Sequence, residues 1–138
     1  MKIQVAKMGE ETIKGYKQVV CSDNYINLME ISDNECSEII ANNVLDNFSF
    51  EKIHECLVSL VGKLRLNGKI VVGGTDLRLF SRAVINNMIT EQQACQIANS
   101  CNSMPSLETI KPMMNSLGLN IISSTLSGVH FEVTAKRG

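Results

Sequence analysis

Residues 49–74 constrain the fold more tightly than any other part of the chain. Ile53, Leu57, Leu60, Val61 and Leu64 recur at offsets of 4, 7, 8 and 11, the spacing that gathers apolar side chains onto one stripe of an α-helix. Lys52, Glu55, Ser59 and Lys63 fall between them and face water. Ser49 can cap this helix, and Phe48 and Ile53 stand at the two positions of a hydrophobic staple. Leu66-Asn67-Gly68 then breaks it, and Lys69–Gly73 reads as a β-branched strand closed by a second glycine, Gly74.

The same alternation extends in both directions. Ile3 and Val5 alternate with polar residues as a first strand, and Met8 lies in the loop that follows. Gly15-Tyr16 marks a turn, and Lys17–Asp23 is a second short strand ending on a carboxylate. After the polar stretch of residues 33–38, Glu38–Ala41 is a third strand with continuous apolar residues, the pattern of a strand covered on both faces. Thr90 and Gln93 form a capping box for a helix reaching about Cys101. Another helix runs from about Ser106 to Gly118, with a start near Thr109 if Pro112 is to fall in its first turn. Leu119–Leu126 and Val129–Lys136 close the chain as a hairpin around Ser127-Gly128. Strands alternating with helices predict one α/β domain over residues 1–138, with a mostly parallel sheet and helices packed on both its faces.

Composition narrows function by exclusion. With 13 basic and 14 acidic residues the formal net charge is −1, so no electrostatic footprint for nucleic acid or an anionic membrane is expected. Aromatic residues are 4 % with no Trp, which argues against a stacking platform for bases. No apolar run approaches the roughly 18 residues of a membrane-spanning helix, and nothing before the first strand reads as a secretory signal. Cys21, Cys36, Cys56, Cys95 and Cys101 are odd in number and never spaced as C-x-x-C, which predicts neither a disulfide framework nor a metal site. Buried, reduced cysteines in a cytoplasmic protein are the expectation.

The middle of the chain, EIIANNVLDNFSFEKIHECLVSLVGKLRLNGKIVVGGTDL, resembles class I S-adenosylmethionine-dependent methyltransferases. Val44-Leu45-Asp46-Asn47-Phe48 stands in the family's "vLeHf" slot, Leu66-Asn67-Gly68-Lys69 in its "LkpGG" turn, and Ser116-Leu117-Gly118-Leu119 in its "aGF" step before the last strands. Gly15-Tyr16 and the strand-end Asp23 match short members of the group. The resemblance implies a Rossmann-like methyltransferase sheet ending in an antiparallel hairpin, and S-adenosylmethionine as cofactor.

Carried onto this sequence, the cofactor residues are Ala6 and Gly9 in the first loop, Asp23 for the ribose hydroxyls, Glu30 and Ile31 for the adenine, and Asn42 past the third strand. A glycine-rich first loop lets the backbone pass close to the cofactor; Ala6-Lys7-Met8-Gly9-Glu10-Glu11 retains one glycine. Asp23 reads equally as a solvated strand-end carboxylate. Asn43 and Asn47 occupy slots that often hold histidine in the family, and an amide does not titrate. Asp46 is then the candidate catalytic base, with a charge favoured at a helix N-terminus as its alternative. Asn43, Asp76 and Arg78 are candidate substrate residues, and Thr75 borders the same place. His54 and His130 have no partner motif and read as surface or packing residues.

Three functions fit these residues. One is a methyltransferase acting on a small-molecule or glycan-related acceptor, where positioning carries much of the chemistry. Another is a non-catalytic relative used as a binding or regulatory partner, its pocket plugged by Lys7, Met8 or Tyr25. The third is a Rossmann-like domain that uses the sheet edge for a different ligand. The segment of residues 81–104 is the candidate substrate cap. A chain this short has little room for helices that cover a sheet, so burial of apolar surface in a homodimer is also expected.

Overall fold

In the computed structural model, which describes all 138 residues, helix α1 (Ile53–Lys63) runs directly into strand β5 (Leu64–Thr75). Ser49 does not cap α1 with its side chain; a 3-10 turn, Phe50–Lys52, intervenes, and the Ser49 amide donates to Asn24 Oδ1 at 2.6 Å. Leu66-Asn67-Gly68 does not end the helix either. It lies inside β5, where Asn67 takes a left-handed conformation (φ 65°) beside an irregular register with the neighbouring strand. The helix stops at Lys63, where the next residue turns extended. Arg137 Nη1 donates there to the Val61 and Leu64 carbonyls and to Asn34 Oδ1.

The remaining elements are β1 (Lys2–Lys7), β2 (Lys17–Ser22), β3 (Tyr25–Ile26), β4 (Cys36–Ala41), α2 (Leu77–Ile85), α3 (Glu91–Ser100), α4 (Leu107–Ser116), β6 (Leu119–Ser127) and β7 (His130–Arg137). The seven strands form one sheet in the order β3-β2-β1-β4-β5-β7-β6. Parallel pairing joins β2, β1, β4 and β5. The pairs β2–β3, β5–β7 and β6–β7 are antiparallel. Three of six pairings are therefore parallel, so the sheet is mixed rather than mostly parallel.

The expected helical layers on both faces are not formed. Ile3, Val5, Val19, Ile39, Ile70, Val72, Val133 and Ala135 are in register on one face, and with α1 and α4 they make a single core of 26 buried residues. The other face carries Gln4, Gln18, Glu38, Lys69, Thr134 and Lys136. Ile40 on β4 is only half-buried as a result, and that strand is covered on one side. Chirality explains the asymmetry: crossovers are right-handed, so steps from β4 to β5 and from β5 onward lie on one face, while the step from β1 back to β2 crosses the other. That last connection, residues 8–16, has no helix. Gln4 and Gln18, paired side by side, hold it flat: Gln4 Nε2 donates to Glu11 O, Gln4 Oε1 accepts from Ile13 N, and Gln18 Nε2 donates to Glu10 O.

Beyond this loop Glu38 lies between Lys2 and Lys69, at 3.9 and 3.3 Å. Burial opposes its ionisation, but hydrogen bonds from Tyr16 and Lys69 and the two lysine charges outweigh it and hold the carboxyl below its ordinary value.

The capping box of Thr90 and Gln93 forms with both of its hydrogen bonds. α4 starts at Leu107, not near Thr109, so Pro112 sits inside the helix without an amide to donate to Glu108. α2 and β3 lack the buried apolar pattern that marks the other elements: Leu77, Val84 and Ile85 of α2 are exposed, and β3 has two residues. α2 and α3 pack chiefly on each other and add only Ala83 to the buried residues.

Candidate functional site

The carboxyl ends of β1, β2, β4 and β5 meet at one edge, the position where open α/β sheets bind ligands. A network of polar side chains crosses this edge. Asp46 lies in a 3-10 turn, Leu45–Asn47, and is only 5 % exposed. Its Oδ2 accepts from Thr75 N at 3.2 Å and Thr75 Oγ1 at 2.9 Å, tying the loop after β4 to the end of β5. The Cys101 thiol approaches the same oxygen at 3.8 Å and Thr75 Oγ1 at 3.6 Å. Asp46 Oδ1 is buried without a partner, as is Ser103 Oγ. Asp46 thus ties two loops together at the edge and lies in the first turn of this 3-10 helix, set apart from the start of α1.

The loop after β2 reaches the loop after β4 directly. Asn24 N donates to Asn47 O at 3.0 Å, and Asn47 Nδ2 contacts Cys21 Sγ at 3.8 Å. Asn102 lies over this bridge: its backbone N donates to Asp46 O at 2.7 Å, and its Nδ2 donates to Asn47 O at 2.7 Å and Asp23 Oδ1 at 3.2 Å. Since β1 lies between β2 and β4, these bonds span the switch point of the sheet.

The expected site residues separate into two groups. Ala6, Asp23, Asn42 and Asn43 all belong to the carboxyl edge; Ala6 is buried in β1 and the other three are exposed. Asn42 leans towards β7, with Nδ2 near Glu132 Oε1 at 3.4 Å, and its carbonyl accepts from His130 Nε2 at 2.8 Å. His130 therefore has a partner the sequence did not disclose. Glu30 is elsewhere: it pairs with Lys17 Nζ at 3.1 Å, and Lys17 opens β2, so Glu30 stands at the amino edge, a strand's length from Asp23. Ile31 packs into the core. Neither forms a site with Asp23.

Asp76 is 2 % exposed. Its Oδ1 accepts from Arg78 N and Leu79 N at 2.8 and 3.0 Å, capping α2, and Oδ2 accepts from Leu107 N at 2.9 Å, which fixes the start of α4. That double capping and its burial commit Asp76 to holding the two helix starts. Arg78 points away and faces Glu108 at 3.6 Å.

Gly9 has φ 91°, and a Cβ added there would meet nothing within 4 Å. Its glycine serves the turn and not a close approach. Gly73 is the opposite case: a Cβ would fall 2.4 Å from both Asn42 O and Phe131 O. Met8 and Tyr25 do not plug the edge, being 85 % and 54 % exposed. The residues that close it, Asn24, Cys101 and Asn102, carry no local motif that would have drawn attention to them.

All five cysteines are free; Cys21, Cys36 and Cys56 are buried, whereas Cys95 is exposed and Cys101 half-buried. Burial raises the Cys21 thiol, partly offset by the Asn47 hydrogen bond, and pushes Cys56 up to about 12. Neither is a ready thiolate. A cavity of about 630 Å³ lies between α1 and the Tyr25–Met29 segment, with Asn24 and Phe48 in its lining. No helix of the chain is long and apolar enough to cross a membrane.

No protein-family model matches the sequence, and no curated protein matches it either. Solved structures do. A protein from Pyrococcus horikoshii superposes with a TM-score of 0.61 at 14 % identity, over 90 % of this chain and 60 % of its own. A SAM-dependent methyltransferase from Archaeoglobus fulgidus gives 0.60 at 13 % identity, over 88 % and 68 %. The geranyl diphosphate C-methyltransferase of Streptomyces coelicolor, solved with S-adenosyl-L-homocysteine, gives 0.58 at 12 % identity, over 89 % and 54 %. The chain spans about 60 % of the length of the first of these neighbours. Identities this low speak to architecture alone, and on that evidence the chain has the fold of class I S-adenosylmethionine-dependent methyltransferases.

Proposed function

We propose that this chain is a small S-adenosylmethionine-dependent methyltransferase acting on a small-molecule or glycan-related acceptor. The observation that carries the reading is the strand order β3-β2-β1-β4-β5-β7-β6 with its antiparallel closing hairpin, in a fold shared with methyltransferases. It brings the Asp23 carboxylate to the carboxyl edge beside the end of β1.

The residues present fit such a cofactor in part. Asp23 is exposed and offers acceptors for two ribose hydroxyls, the charge-assisted arrangement that suits a carboxylate at a strand end. Ala6 is small and buried near the end of β1. Gly9 forms no cradle, and Glu30 and Ile31 stand apart. A bound cofactor of this class supplies an activated methyl group; the chain's own part is to orient it and to hold the acceptor near Asn42 and Asn43. Asp46, already bonded to Thr75, holds the floor of the edge in shape.

A non-catalytic relative is the second reading. Two observations favour it: Asn102 sits on Asp23, and the single first-loop glycine approaches nothing.

Thermal unfolding with millimolar S-adenosylmethionine, and separately S-adenosylhomocysteine, tests the first reading. Ligand at about 100 times its dissociation constant adds roughly 2.7 kcal/mol, a rise of several degrees in the midpoint for a domain of this size. A rise with either ligand supports the cofactor site. An unchanged midpoint with both transfers the conclusion to the non-catalytic relative.

A further inference from the structure

Asn102 comes from the short connection between α3 and α4, yet it makes three hydrogen bonds at the carboxyl edge. Both of its side-chain N–H groups have acceptors in reach, Asn47 O and Asp23 Oδ1. The amide thus places one N–H on the Asp23 oxygen that a hydroxyl of a vicinal diol would also use, anchored by the other N–H on the Asn47 carbonyl. From this geometry we propose that Cys101–Ser103 is an autoinhibitory strap, in which Asn102 competes for Asp23 with the vicinal diol of a nucleoside ligand. The inference rests on the cofactor site proposed above and assigns its regulation.

Two further observations point to a strap that lifts. Asp46 Oδ1 and Ser103 Oγ, one on each side of the contact, are buried without partners, so closure leaves polar groups unsatisfied that opening returns to water. The strap's two ends also differ. Downstream, Leu107 N is pinned to Asp76 Oδ2, which fixes α4. Upstream is α3, which contributes no buried residue. The strap and α3 can therefore swing about the start of α4 without unpacking the core, the kind of element that sits at the low-stability end of a fold.

Opening costs free energy that a ligand must supply, and its apparent affinity falls by the fraction of molecules with the strap lifted. Removing the Asn102 amide removes that competition. Titration calorimetry of the full chain with S-adenosylhomocysteine should show Asn102→Ala binding at least tenfold more tightly than wild type, and Asp23→Ala losing binding. Hydrogen exchange on the wild type gives a reading that no variant's folding can obscure: with S-adenosylhomocysteine bound, the Asn102 amide, which donates to Asp46 O, should exchange faster. If wild type and Asn102→Ala bind equally and the Asn102 amide is not deprotected, the strap is overturned while the cofactor site stands. Asp23→Ala binding as well as wild type overturns the competition. If neither wild type nor Asn102→Ala binds at millimolar ligand, the strap and the cofactor reading fall together.

Discussion

The two arms of the sheet solve the same problem differently. From β4 onward every parallel or hairpin step is supported by helices or tight turns, and the whole of α1 and α4 packs on one face. From β1 to β3 there are no helices: the β1–β2 connection is a loop clipped to two glutamines, and β2–β3 is a two-residue turn with Asn24 in a left-handed conformation. A parallel crossover normally takes a dozen or more residues, usually with a helix. The difference teaches that both arms share one buried face, but only the C-terminal arm has helices on it, whereas the N-terminal crossover is held by side-chain-to-backbone hydrogen bonds on the polar face. Residues of the carboxyl edge are drawn from both arms, so the edge joins a helix-backed half to one with a helix-free crossover.

One substitution applied to both arms gives the sharpest break in that comparison. Gly73→Ala drives a Cβ into two backbone oxygens at 2.4 Å, where neither strand can yield without shifting β4 or β7. We expect a loss of about 3 kcal/mol or more in urea unfolding. Gly9→Ala meets no neighbour and strains only its positive φ, an expected cost of about 1 kcal/mol. Equal losses would mean that the loop is as integral to the fold as the central strands.

The smallest effect concerns charge on the open face. Glu38 has its folded-state carboxyl held below the ordinary 4.5, so its ion pairing favours the folded chain above that value and is lost as the pH falls through the lowered one. Wild type should exceed Glu38→Gln in stability at neutral pH and converge with it in acid, as followed by denaturant midpoints across pH. A difference that persists or grows in acid would show that packing, and not charge, is what Glu38 contributes.

Much of the frame was legible without coordinates. The stripe Ile53–Leu64, the β-branched Lys69–Gly73, the capping box of Thr90 and Gln93, and the final hairpin are local patterns whose signal lies within a few residues. Asp23 at the end of β2 was legible for the same reason. Less so were Asn67, whose break in the apolar pattern is a bulge within a strand, and Pro112, which is accommodated inside a helix.

The sequence by itself determined where most of the strands and helices form, though not α2, β3 or the start of β5, because hydrophobic periodicity, caps and glycine turns act between near neighbours. Tertiary structure alone decided which face those elements bury, that Glu30 belongs to the amino edge, that Asp76 caps two helices, and that Asn102 lies on Asp23. Each of the last three depends on a contact with a residue at least 13 positions away or on the handedness of a crossover. Hydrogen bonds of that range leave no periodic trace along a chain; they exist only once the sheet has brought its strand ends to one edge.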